Sequence, residues 1–322
     1  MRLWRNHGPR LLLGGGFVLL LVAGILAVTL RPSRTTIKTI TVTVPSRTTT
    51  QTTTTTPPTT TQPPPPPPPS QVAMSWDNAG GIVWHPEVVD PAWLGQQMRS
   101  AGFGWVAVYL GENDSTTPPD TGWIARFRTA SGLPVGAWSV LGVEPAKDAT
   151  QAAQLIDQDG LDFYIADAEA PYGYTDGTQH SVTRLRRSQI FVSTFRRLEA
   201  KLPAAVSSYC RPDQHDIDWA AWAHGGFSFL PQAYVNDFGD AAAPAACVSG
   251  AASFFPKSQV HPTVGSYSGV LGIVAPTQFA QLLQQAGTTG FSIYPAEAGM
   301  SAENWQAYGQ AIATLHIANR VS

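Results

Sequence analysis

Eight short apolar stretches, each followed by a segment of helical character, constrain this chain more than any other feature in it. They run Gly81 to Trp84, Gly104 to Leu110, Pro134 to Leu141, Leu161 to Asp167, Ala204 to Tyr209, Phe227 to Val235, Val260 to Tyr267 and Gly290 to Tyr294. Helices are expected after Asp90-Pro91, a cap followed by a proline in the first turn, and near Asp120 to Ala130, Lys147 to Gln158, Arg184 to Lys201, Asp213 to Ala223, Pro276 to Ala286 and Ala302 to Ala318. Gly239 to Phe254 is rich in Ala and Gly and only weakly helical. Parallel strands need a crossover between them, and a helix supplies it. Eight strand-helix units therefore predict an α/β fold, a (β/α)8 TIM-like barrel over residues 72–322; an open doubly wound sheet is the alternative.

What precedes the barrel is of a different kind. Leu11 to Leu30 is an uncharged apolar stretch long enough to cross a bilayer. Arg2, Arg5 and Arg10 precede it and favour a cytoplasmic N-terminus for residues 1–10, while Arg31, Arg34 and Lys38 on the other side weaken that bias. No small-x-small cleavage site follows, so residues 11–30 read as an uncleaved signal-anchor, with a cleaved signal as the alternative. Residues 31–71 are dominated by Thr, Pro and Ser and end in the run Pro63 to Pro69. They hold too little apolar surface to offset chain entropy, and they read as a disordered, stiff spacer open to O-glycosylation. The expected location is the cell membrane, single-pass, with the C-terminal domain extracytoplasmic.

Charge is divided in the same way. The segment before Gln71 has seven Arg and Lys and no acid, leaving 13 basic against 22 acidic side chains after it, a net charge of −9. That sign excludes a nucleic-acid partner. Cys210 and Cys247 are the two cysteines, outside any metal-type spacing; in an exported chain they form one disulfide or remain as two buried thiols. His215 and His224, nine residues apart, suit no zinc face, and no Gly-x-Ser-x-Gly elbow is present. No metal and no cofactor is expected, and the domain is expected as a monomer.

Chemistry concentrates on Leu161 to Glu169, where a buried-type strand ends in two acids. Residues two apart on a strand share a side, so Asp167 and Glu169 align with Phe163 and Ile165. Two carboxyls in different surroundings hold different protonation states, the arrangement used to cleave glycosidic bonds. The structural alternative is a pair of polar rim residues that cap the next helix or pair with Arg184 or Arg186. In a barrel the active mouth lies at the strands' C-terminal ends, which carry Trp84, His85, Tyr109, Glu112, Trp138, Tyr209, Gln232, Tyr234, Asn236, Tyr267, Tyr294 and Glu297. Rings that stack on sugar faces and amides that hold hydroxyls make these the candidate substrate-binding residues, with core packing the alternative for each aromatic.

Four stretches in order resemble the glycoside hydrolase family 25 lysozymes: Gly81-Ile82-Val83-Trp84-His85-Pro86, Trp105 to Asn113, Ala130 to Trp138, and Ala166-Asp167-Ala168-Glu169. The resemblance implies a (β/α) barrel acting on peptidoglycan. It also implies Glu169 as general acid and Asp167 as electrostatic or nucleophilic partner, or as the group that orients the substrate's acetamido. The family's first-strand aspartate falls on Val83, and strand eight reads Phe291 to Glu297 where a terminal aspartate region is expected. The expectation is a membrane-tethered hydrolase-like protein whose partner is a cell-wall polysaccharide. A non-catalytic glycan- or protein-binding module, or a hydrolase of another polysaccharide using Glu112 or Glu297 as second carboxylate, are the competing readings.

Overall fold

The computed structural model describes residues 69–315 except 113–114, 117–120, 174–181, 289 and 298–299, with backbone alone at 111, 112, 115, 116 and 121. The apolar stretch 11–30 and nearly all of the Thr/Pro-rich segment lie outside the described residues. Among those described, no helix is long and apolar enough to cross a membrane.

Eight parallel strands form the sheet: β1 (Gly80–Val83), β2 (Trp105–Glu112), β3 (Val135–Val140), β4 (Tyr164–Asp167), β5 (Ala204–Tyr209), β6 (Ser228–Ala233), β7 (Thr263–Gly265) and β8 (Ser292–Tyr294). Each pairs with the next, and β8 pairs with β1 through Gly80↔Ser292 and Gly81↔Ile293. That last pairing closes the ring and excludes the open sheet. A two-residue strand, Ser115–Thr116, pairs antiparallel with the end of β2. Outside the ring lie α1 (Pro91–Ala101), α2 (Thr121–Ser131), α3 (Pro145–Asp159), α4 (Val182–Leu198), α5 (Trp219–His224), α6 (Pro244–Ala251), α7 (Pro276–Ala286) and α8 (Ala302–Thr314). The chain is a (β/α)8 barrel.

Alternation along the strands divides the core in two. Ile82, Trp105, Ala107, Trp138, Phe163, Ile165, Ala205 and Leu230 pack together inside the barrel, while Val83, Val106, Val108, Tyr164 and Ala166 pack outward with the helices. The strands' N-terminal end is plugged by Trp76, Trp105 and Phe163, each pair edge to face at 5.3 Å. Room for the plug comes from Gly80 and Gly136. A Cβ on the first would lie 2.1 Å from the Trp105 ring, and on the second 2.4 Å from Phe163. At this end Asp162 accepts from Val135 N–H (2.8 Å), Arg128 (2.7 Å) and Ser70 (2.7 Å), and Gln71 N–H donates to Gly132 O.

Two elements differ from expectation. The helix expected over Asp213 to Ala223 is a short turn at Pro212–Gln214 and then α5. Asp218 accepts Ala221 N–H and starts a new helix, and the Trp219 indole donates to the carbonyls of Pro212 and His215. Strand β7 is shorter than Val260 to Tyr267 because Pro262 brings no N–H to the ladder. Cys210, just after β5, and Cys247, in α6, form a disulfide that ties this weakly helical region to the barrel.

Candidate active site

Register sets the site. Val140 pairs with Asp167, and Asp167 with Ser207, so these three share one level at the barrel's C-terminal end. Asp167 continues the inward side of Phe163 and Ile165 and is 8% exposed. Glu169, half-buried, follows just before the helical turn Ala170–Gly173. Among the described residues neither carboxylate pairs with an arginine. Instead the Gln232 amide, from β6, donates to Asp167 Oδ1 (3.2 Å) and to Glu169 Oε1 (2.7 Å). One nitrogen reaching both oxygens holds them no more than about 6 Å apart.

Burial, and then the nearby charge of Glu169, push the Asp167 carboxyl well above the usual carboxylate range, while hydrogen bonds from Ser207 and Gln232 act the other way. The Tyr234 phenol is raised by burial and then by Asp167, and Tyr294 responds in the same way. Both phenols therefore stay protonated and keep an O–H to donate.

The cavity encloses about 210 Å³. Ile82, Val140 and Ile165 line its apolar part, and Asp167, Glu169, Ser207 and Gln232 its polar part. Trp84, Tyr109, Trp138, Tyr234 and Tyr294 supply rings. Trp138 is fixed from both sides: its indole N–H donates to Val83 O at 2.9 Å, and its ring lies 4.5 Å from Tyr109 and 5.9 Å from Tyr294.

Of the sequence candidates, Asp167, Glu169, Trp84, Tyr109, Trp138, Gln232, Tyr234 and Tyr294 come together in this cavity, and His85, Tyr209, Asn236, Tyr267 and Glu297 do not line it. His85 is exposed, stacked on Trp84 at 4.6 Å and paired with Glu87 at 3.2 Å. Tyr209, the last residue of β5, packs beside the outer core and stacks on His215 at 4.2 Å. Tyr267 stands behind Tyr234 and Tyr294, with its hydroxyl donating to Asp237 at 2.5 Å. Glu297 accepts the N–H groups of Trp84 and His85, each at 2.6 Å, so its carboxylate is engaged by backbone instead of serving as a second acid in the cavity. Glu112 ends β2, and its side chain is outside what is described. Val83 faces the helices, and its inward neighbour Ile82 is apolar, so β1 brings no carboxylate. Ser207 was not among the candidates; its place follows from the β4–β5 register that pairs it with Asp167.

No family profile matches the chain, and no curated protein matches it. Solved structures do. A GH18 chitinase from Pseudoalteromonas aurantia superposes with a TM-score of 0.53 at 12% identity, over 72% of this chain and 99% of that one. A chitinase-like agglutinin from Robinia pseudoacacia gives 0.53 at 9%, over 72% and 98%. A mutant class V chitinase from Nicotiana tobaccum in complex with NAG4 gives 0.51 at 8%, over 72% and 98%. At these identities the likeness establishes the TIM-barrel fold alone. It does not support family 25 specifically, since these neighbours are chitinase-like.

Proposed function

We propose that this protein is a glycoside hydrolase acting on a β-linked, N-acetylhexosamine-containing wall glycan of the peptidoglycan type, held at the membrane by residues 11–30 and spaced from it by the Thr/Pro-rich segment. The observation that carries the reading is the Asp167–Glu169 pair, bridged by Gln232 inside a ring-lined cavity at the barrel mouth. Acids so close titrate as a unit. At rest, burial and then the neighbouring Glu169 favour the protonated form of Asp167. On substrate binding the proton passes from Asp167 to Glu169. Glu169 then protonates the glycosidic oxygen as the bond to the anomeric carbon breaks. Asp167, now a carboxylate supported by Ser207 and Gln232, faces the positive charge developing on the ring. Water adds to that carbon and gives a proton back to Glu169. A separation under about 6 Å is nearer the retaining spacing of about 5–5.5 Å than the inverting spacing of about 6.5–9.5 Å, so retention of configuration is expected.

The test is release of reducing ends from purified peptidoglycan and from chitin by the full chain in detergent. The proposal requires release by the wild type and almost none by Glu169→Gln. Glycan binding without release by either protein supports a second reading, a non-catalytic binding module, which the absence of a β1 carboxylate at Val83 favours.

A further inference from the structure

Among the described rings of the cavity Trp84 is the most open to solvent: it lines the cavity yet is 42% exposed. A cavity of about 210 Å³ is smaller than the ~300–1,000 Å³ of typical ligand pockets and encloses a single ring, not a chain of them. A polymer held there must continue over the rim. On that rim Trp84 stacks against His85 at 4.6 Å with planes 22° apart, and it lies 6.2 Å from Tyr294 inside the cavity. Both backbone N–H groups of the Trp84-His85 pair point to one oxygen of Glu297, which thus ties the end of β1 to the segment after β8.

An exposed indole is ordinarily mobile and costly to leave in water. Here its backbone is held by two charge-assisted hydrogen bonds, which are short and strong. The rigid, flat, apolar face so presented suits the face of a second pyranose.

Resting on the function proposed above, we infer that the stacked Trp84-His85 pair is a binding platform for the sugar next to the one enclosed, and that Glu297 is its positioning residue and not a catalytic acid. The ligand class is a β-linked oligosaccharide of more than one unit. The indole stacks on the second ring, and the carboxylate keeps the indole's backbone in place.

The experiment is calorimetric titration of the full chain in a Glu169→Gln background, which blocks turnover, with β-1,4-linked N-acetylglucosamine dimers and tetramers. Trp84→Ala should weaken the tetramer about tenfold and the dimer clearly less, and Trp84→Phe should recover most of the loss. Glu297→Ala should follow Trp84→Ala. Glu297→Gln keeps an acceptor oxygen and should recover most of the affinity. In an otherwise wild-type chain, the loss of turnover in Glu297→Ala should lie mainly in KM, with Glu297→Gln restoring it. Equal losses for dimer and tetramer in Trp84→Ala, or no loss, would overturn the platform. A collapse of kcat in Glu297→Gln with unchanged tetramer affinity would overturn the positioning role and make Glu297 a chemical participant. Failure of the background protein to bind either oligosaccharide would instead remove the proposed function, and the platform with it.

Discussion

Strand β4 carries an aspartate near each end, and the two are treated in opposite ways. Asp162, at the closed end, meets an almost fully buried arginine, a backbone N–H and a hydroxyl. Asp167, at the open end, is more buried yet meets no cation among the described residues; a serine, an amide, a second carboxylate and two phenol rings lie near it. Beneath Asp162's end the barrel is plugged by aromatic rings at close range, whereas beside Asp167 it holds a cavity. One end follows the rules for stability. The other breaks them: a carboxyl buried with no counter-ion among the described residues is disfavoured as a charge, and such perturbed groups mark candidate functional sites.

The contrast is broken most severely by Arg128→Ala, which leaves the Asp162 carboxylate facing a vacated buried site. Removing one partner of a buried pair costs about 3–5 kcal/mol; since Asp162 is partly exposed, the lower end, about 3 kcal/mol, is expected from urea unfolding. Gly136→Ala drives a methyl into the Phe163 ring and should cost about 1–3 kcal/mol by the same measurement.

Asp167→Asn has the smallest effect and the opposite sign. Because its folded-state pKa is raised, Asp167 favours folding below the unfolded carboxyl's titration near pH ~4, and that contribution is lost as pH rises through the folded value. The substitution should therefore raise the melting midpoint by a few degrees at neutral pH and by almost nothing in acid, while abolishing glycan cleavage. Destabilisation at neutral pH would mean that Asp167 is a structural residue like Asp162.

The barrel was legible because each strand is a short apolar run that burial on both faces permits, and strand parity correctly turned Asp167 inward with Phe163 and Ile165. Gln232 and the rings of Tyr109, Trp138, Tyr234 and Tyr294 sit where strand ends place them. What parity cannot show is which partner holds a side chain. Tyr209, at the end of β5, stacks on His215, and Tyr267 is drawn back to Asp237, a partner 30 residues away in sequence. Glu297 was ambiguous for a related reason: its acceptor role depends on the N–H groups of Trp84 and His85, more than 200 residues earlier. Ser207 is legible only once the β4–β5 register is known, since nothing local marks it.

The account turns on two acids sharing one environment, and carbon-13 NMR of the side-chain carboxyls across pH reads this directly. In the wild type Asp167 should titrate well above an ordinary aspartate, and in Glu169→Gln its midpoint should fall because the neighbouring charge is gone. An Asp167 that titrates in the ordinary range and ignores the loss of Glu169 would contradict the account.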